Sequence, residues 1–101
     1  MSKDKLINGL NEDLAAELGT VIRYTYQAAK CCGLLAAGLR GLLKEEAQDE
    51  LGHATYLMDV IQDLGGEPTT TPKPFDKPAD LKGMIGLNVK MEAEDVANYL
   101  A

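Results

Sequence analysis

Steps of four and three residues alternate without a fault through Leu39, Leu43, Glu46, Glu50, His53, Leu57, Val60 and Leu64. That spacing returns to one face of an α-helix at every step, so the stretch is a long helix that buries one side. Three positions of the stripe hold ligand-type groups where leucines would serve packing better. A carboxylate in a dry seam costs several kcal/mol unless a cation or hydrogen-bond donors meet it.

A second stripe precedes it. Leu6 to Cys32 contains no proline, and Leu10, Leu14, Val21, Tyr24, Ala28 and Cys31 share one helical face with Glu17 standing in its gap. Gly33 to Gly38 supplies small residues for a tight turn, and Gly65-Gly66 followed by Pro68 ends the second helix. Two long helices with a short joint make an antiparallel hairpin.

All four prolines fall between Glu67 and Pro78, a stretch without periodicity that reads as an extended connector. A helix of about 27 residues is about 40 Å long, and an extended segment of about 14 residues reaches about 45 Å, so the connector can run the hairpin's full length. A crossover of this kind occurs in some four-helix bundles. Asp80 is a reasonable N-cap for a third helix with Leu81, Ile85, Asn88, Glu92, Val96 and Tyr99 on one face. The expected organisation is one domain over 1–101: helices at about 4–32, 37–64 and 80–100, with a crossover at 65–79.

At 101 residues the core of one chain is modest, which leaves room for partner chains to complete it. The ten Lys and Arg are scattered and outnumbered by sixteen acids, a net charge of −6, which argues against nucleic acid as a partner. No apolar run long enough for a membrane span and no signal-type apolar core is present, so a cytoplasmic protein is expected. The adjacent Cys31 and Cys32 are poorly placed for an ordinary disulfide and read as packed thiols. Met84 and Met91 read as core or gap-filling residues.

Glu50 and His53 stand on neighbouring turns of one face and can offer an oxygen and a nitrogen to one point. Taken alone, His53 is an ordinary histidine and Glu46 a solvated carboxylate. Joint placement of Glu17, Glu50 and His53 on apolar stripes without Lys or Arg points instead to a metal, with iron(II), manganese(II) or zinc(II) suited to the mixed donors. Two metals sharing carboxylates are usual where facing helices offer Glu and Glu-x-x-His. Tyr24 and Tyr99 each follow a stripe glutamate by two turns and are candidates for core packing or for hydrogen bonding to a ligand carboxylate. Glu12, Glu45, Asp49 and Glu94 read as surface charges.

With these residues in view, LINGLNEDLAAELGTVIRYTYQAAK, LLKEEAQDELGHATYLMDVIQDLGGEP and, less fully, ADLKGMIGLNVKMEAEDVANYLA resemble the ferritin-like superfamily, and bacterioferritin in particular. The 33-residue separation of Glu17 from Glu50, followed by His53, is similar to that family's first-helix Glu and second-helix Glu-x-x-His. The resemblance implies a di-iron ferroxidase centre with Glu17 and His53 as terminal ligands, Glu50 bridging, Glu92 on the second iron and Tyr24 beside it. The substrates it implies are ferrous iron and O2 or peroxide.

Leu51 stands where the haem-binding methionine would be, so no haem is expected. A fourth helix with its own Glu-x-x-His is missing, which is expected either of a fragment of a longer protein or of a short form whose bundle a partner completes. The fold class expected is therefore all-α: a ferritin-like hairpin plus a third helix, with the bundle incomplete in one chain and completed by a partner in a homodimer or larger homo-oligomer. Two hairpins about a two-fold axis would supply Glu, Glu and His twice, an arrangement similar to encapsulated ferritins. The function expected is Fe(II) oxidation for iron storage or detoxification. Alternatives are rubrerythrin-like peroxide reduction and a non-catalytic assembly subunit with an incomplete metal site.

Overall fold

The computed structural model describes residues 2–31, 36–77 and 83–91. Helix α1 runs Lys3–Lys30, helix α2 runs Ala37–Asp63, and a third helix, α3, covers 83–91. All regular structure among the described residues is helical, and no helix among them is long and apolar enough to cross a membrane. The fold is the expected all-α hairpin with a third helix.

Local chemistry sets the helix ends. The Ser2 side chain accepts a hydrogen bond from the Lys5 backbone N–H at 3.1 Å, Asp4 lies in the first turn and Lys30 in the last, so both ends of α1 complement the helix dipole. Helix α2 stops at Gly65, whose φ of +84° belongs to the left-handed region. The Gly66 N–H then reaches back to the Ile61 carbonyl at 2.9 Å and the Gly65 N–H to that of Gln62 at 3.0 Å, the Schellman pattern.

The two long helices pack through two apolar clusters. Tyr24, Ala28, Cys31, Leu43 and Ala47 form one near the interhelical turn, and Leu14, Ala54 and Ile61 form the other toward the opposite end. The stripe on α2 is rotated from its expected phase. Its most buried positions are Leu43, Ala47, Ala54 and Ile61, while Glu46 and His53 are exposed and Val60 is half-buried. A straight helix has 3.6 residues per turn, so a 4-3 stripe drifts by about 20° per heptad, and alanines at 47 and 54 let α1 approach closely.

The described part of the connector runs along α1 from Asn11 to Tyr26. Asn11 holds its start, with Nδ2 donating to the Glu67 carbonyl at 3.0 Å and Oδ1 accepting from the Thr69 N–H at 2.8 Å. Farther along, the Lys73 N–H donates to the Ala15 carbonyl at 2.8 Å, and the Phe75 ring lies 6.1 Å from that of Tyr26. Gly19 makes this path possible, since a Cβ there would stand 2.4 Å from the Lys73 carbonyl oxygen.

Helix α3 returns antiparallel to α1. Asn88 Nδ2 donates to Gln27 Oε1 at 2.8 Å, and the Arg23 guanidinium meets the Met91 sulfur. Met84 is buried, as expected for a core residue. Ile85, expected on the packed face, is 47% exposed, because Asn88 sets the phase of α3 by its bond to Gln27 and turns Met84 inward instead. Asp80, Leu81, Glu92, Val96 and Tyr99 lie outside the described residues.

Candidate metal centre

Between the two apolar clusters the hairpin core is interrupted by a polar layer. Glu17 comes from the middle of α1, and Glu50 and His53 from successive turns of α2, level with it. His53 Nδ1 lies 3.8 Å from Glu17 Oε2 and 3.6 Å from Glu50 Oε2, and one ligand atom from each residue falls within 4.8 Å of the others. The carboxylate side chains are largely covered, 30% exposed for Glu17 and 21% for Glu50, whereas the imidazole is 65% exposed. The site thus has a closed floor of carboxylates and an open side at His53.

Two observations test whether these residues fit a metal ion. Glu17 Oε2 is buried and has no hydrogen-bond partner, which is costly for an anionic oxygen unless a cation meets it. Ligand bonds of about 2.1 Å put donor atoms roughly 3.0 to 3.4 Å apart around one ion. The 3.6 and 3.8 Å spacings to His53 lie a few tenths of an ångström beyond that range, and the three ligand atoms, all within 4.8 Å of one another, close on one ion by side-chain rotation. Two carboxylates with one imidazole suit iron(II), manganese(II) or zinc(II).

The other candidate residues fall out as follows. Glu46 is exposed and does not join the cluster. Tyr24 is 7% exposed within the upper apolar cluster, with the Arg23 guanidinium carbon 4.9 Å from its ring centroid. Glu92 and Tyr99 lie outside the described residues, so the structure does not place them. Cys31 is a buried free thiol packed beside Leu43.

Sequence reasoning missed the buried polar face of α1. Arg23, Gln27 and Thr20 are 0%, 1% and 7% exposed. Their i, i+3, i+7 spacing was present in the sequence, but a search for apolar periodicity passes over polar residues on a covered face. Thr20 is satisfied locally, its hydroxyl donating to the Ala16 carbonyl at 3.0 Å. Gln27 and Asn88 bond to each other, while Gln27 Nε2 and Asn88 Oδ1 remain without partners.

Helices that offer a Glu and a Glu-x-x-His to one buried point define the class of helical carboxylate-bridged metal proteins. The chain belongs to the ferritin family: residues 7–101 match the model of the ferritin-like domain. It is 30% identical over 94 residues to bacterial non-heme ferritins of Escherichia coli and of Shigella flexneri, an alignment that takes in 91% of this chain and 57% of those proteins. The chain therefore spans little more than half the length of these curated relatives. A crystal structure of a ferritin-like, diiron-carboxylate protein from Bacillus anthracis superposes with a TM-score of 0.89 at 39% identity, covering 98% of this chain and 73% of that one. These matches carry the ferritin-like family and not the narrower affinity to bacterioferritin.

Proposed function

We propose that this chain binds ferrous iron as substrate at Glu17, Glu50 and His53, and that it oxidises it with O2 or peroxide in iron storage or detoxification. The observation that carries the reading is a buried Glu17 oxygen without a hydrogen bond, in a residue whose ligand atom lies within 4.8 Å of a second carboxylate and an imidazole. The diiron-carboxylate description of the Bacillus anthracis neighbour supports a pair of irons over a single one.

Each ferrous ion gives up one electron to the oxidant, and its charge rises by one. The residues of the chain favour that change in three ways. Glu17 and Glu50 place two negative charges where the positive charge grows, in a layer with apolar clusters on both sides that strengthens the attraction. Glu50, with an oxygen 3.6 Å from His53 and a ligand atom within 4.8 Å of Glu17, would be the carboxylate shared with a second ion, as the family resemblance implies. His53 supplies a neutral nitrogen on the exposed side, where iron enters and leaves.

Three ligand residues are too few for two irons. Glu92 is one further candidate donor, and a second copy of the chain in a homo-oligomer would be another source, bringing the same Glu, Glu and His again. Anaerobic Fe(II) titration of the assembled protein, followed by O2 or peroxide, tests this. Saturable binding with an oxidant-dependent near-ultraviolet absorbance is expected. Absence of binding, or binding that survives Glu50→Ala unchanged, would overturn it. Turnover with peroxide alone would move the reaction to peroxide reduction.

A further inference from the structure

Helix α3 rests on α1 through polar groups that have almost no access to solvent. Arg23 and Gln27 are 0% and 1% exposed and stand one turn apart on α1, where they meet Met91 and Asn88, one turn apart on α3. The Arg23 guanidinium donates to the Met91 sulfur. A thioether is a weak acceptor, so a buried cation here directs an N–H group at a partner that returns little. Beside it, Gln27 Nε2 and Asn88 Oδ1 are buried with no hydrogen-bond partner, although the two amides meet through their other atoms at 2.8 Å. In most proteins a small polar molecule meets such a leftover donor and acceptor.

The Met91 sulfur gives this cluster a chemistry that amides and a guanidinium lack, since a thioether is oxidised to a sulfoxide. The sulfoxide oxygen is a much stronger acceptor than the sulfur it replaces, and it forms where a charged donor already points. Hydrogen peroxide carries two hydroxyl groups, each able to donate and to accept, which matches the unmet Gln27 donor and Asn88 acceptor.

We propose that Met91, which the sequence alone reads as a gap-filling residue, is an oxidation site for peroxide: Gln27 and Asn88 hold the oxidant beside the sulfur, and Arg23 holds the sulfoxide that forms. A sulfur lone pair forms the new S–O bond to one peroxide oxygen as the O–O bond breaks. The departing hydroxide takes the proton of the attacked hydroxyl and leaves as water. Sulfur loses two electrons and peroxide gains them. Arg23 acts at both stages, first stabilising the departing hydroxide through an N–H group and then donating to the sulfoxide oxygen. The oxidised contact therefore binds α3 to α1 more firmly than the reduced one. Sulfoxide reductases reverse the change, so the contact is a switch that firms α3 while peroxide is present.

Met58 supplies the comparison within the same molecule. It is half-buried like Met91, but it packs against the apolar cluster of Leu14, Ala54 and Ile61. Oxidation there puts a polar oxygen into an apolar site and loosens it.

Peroxide titration of the metal-free full chain, with oxidation at each methionine read by peptide mass spectrometry, tests the site. Met91 should be oxidised at least about tenfold faster than Met58, a modest part of what one well-placed donor contributes to stabilising a departing anion. Equal rates, or faster oxidation of Met58, overturn the proposal. Asn88→Leu removes the acceptor and leaves Arg23 in place, and it should bring the two rates within about threefold of each other. A preference for Met91 that survives this change ends the role of the amides.

Hydrogen exchange reads the second half of the proposal. In protein oxidised at Met91, the α3 amides should exchange at least about threefold more slowly than in the reduced protein. The Met91→Leu variant, given the same peroxide, should show no such slowing. Unchanged or faster exchange in the oxidised parent, or equal slowing in the variant, overturns the role of Arg23. No metal takes part in these measurements, so their failure leaves the iron-binding reading standing, and failure of iron binding leaves this site.

Discussion

Replacing Glu17 by Gln keeps the shape of the side chain and removes one charge from the polar layer. In the metal-free protein, two carboxylates whose oxygens lie no more than 4.8 Å apart repel each other by about 3.5 kcal/mol at an effective dielectric of ~20, and by about 0.9 kcal/mol in water. Both side chains keep some solvent contact, at 30% and 21% exposure, so the realised repulsion lies between those limits, near ~1 to 2 kcal/mol. Glu17 Oε2 is also buried without a hydrogen-bond partner, a cost that a neutral amide lowers. Glu17→Gln should therefore stabilise the metal-free protein by about 1 kcal/mol, or about 4 to 8 °C in Tm for a domain of this size.

With metal the order reverses. Ferrous iron under anaerobic conditions, or zinc as a redox-silent stand-in, at a hundredfold excess over Kd should add about 2.7 kcal/mol to the parent and little to the variant. Thermal melts of both proteins with and without metal read all four states. A variant less stable than the parent without metal, or one that keeps the parent's metal-dependent gain, would refute the reasoning that the layer is a strained cation site.

His53→Ala should leave metal-free stability within about 0.5 kcal/mol, since the ring is 65% exposed, yet remove most of the metal-dependent rise in Tm. Gly19→Ala should destabilise by about 1 to 3 kcal/mol in chemical denaturation, because its Cβ would fall 2.4 Å from the Lys73 carbonyl oxygen and push the connector off α1. Asn11→Ala removes both hydrogen bonds that hold the start of the connector, and should cost about 1 to 2 kcal/mol while speeding hydrogen exchange at the Thr69 amide. Gly65→Ala should cost about 1 kcal/mol, as φ of +84° is poorly tolerated by a residue with a Cβ.

The hairpin and third helix were legible because a proline-free 4-3 pattern leaves few alternatives, and because the proline-rich stretch between Glu67 and Pro78 could reach the hairpin's far end. Glu17 stood out only as a gap in an apolar stripe, and the structure sets it opposite Glu50 and His53. The lateral phase of α2 was not legible. Residues 46 and 47, or 53 and 54, differ by 100° around the helix, and only the close approach of α1 selects the alanines for the centre. Arg23 and Gln27 escaped for another reason: burial of a polar side chain depends on what packs over it, and α3 was needed to show that. The clearance at Gly19 likewise exists only once the connector lies against α1.

The central claim is that Glu17, Glu50 and His53 hold iron in an assembled protein. Native mass spectrometry of protein loaded anaerobically with Fe(II) tests it most directly, since it reads metal count and assembly from the same ions. The account predicts a dimer or a larger even assembly with about one to two irons per chain, reduced to background by Glu17→Gln and by Glu50→Ala. An iron-free assembly, or iron retained in both variants, would contradict it.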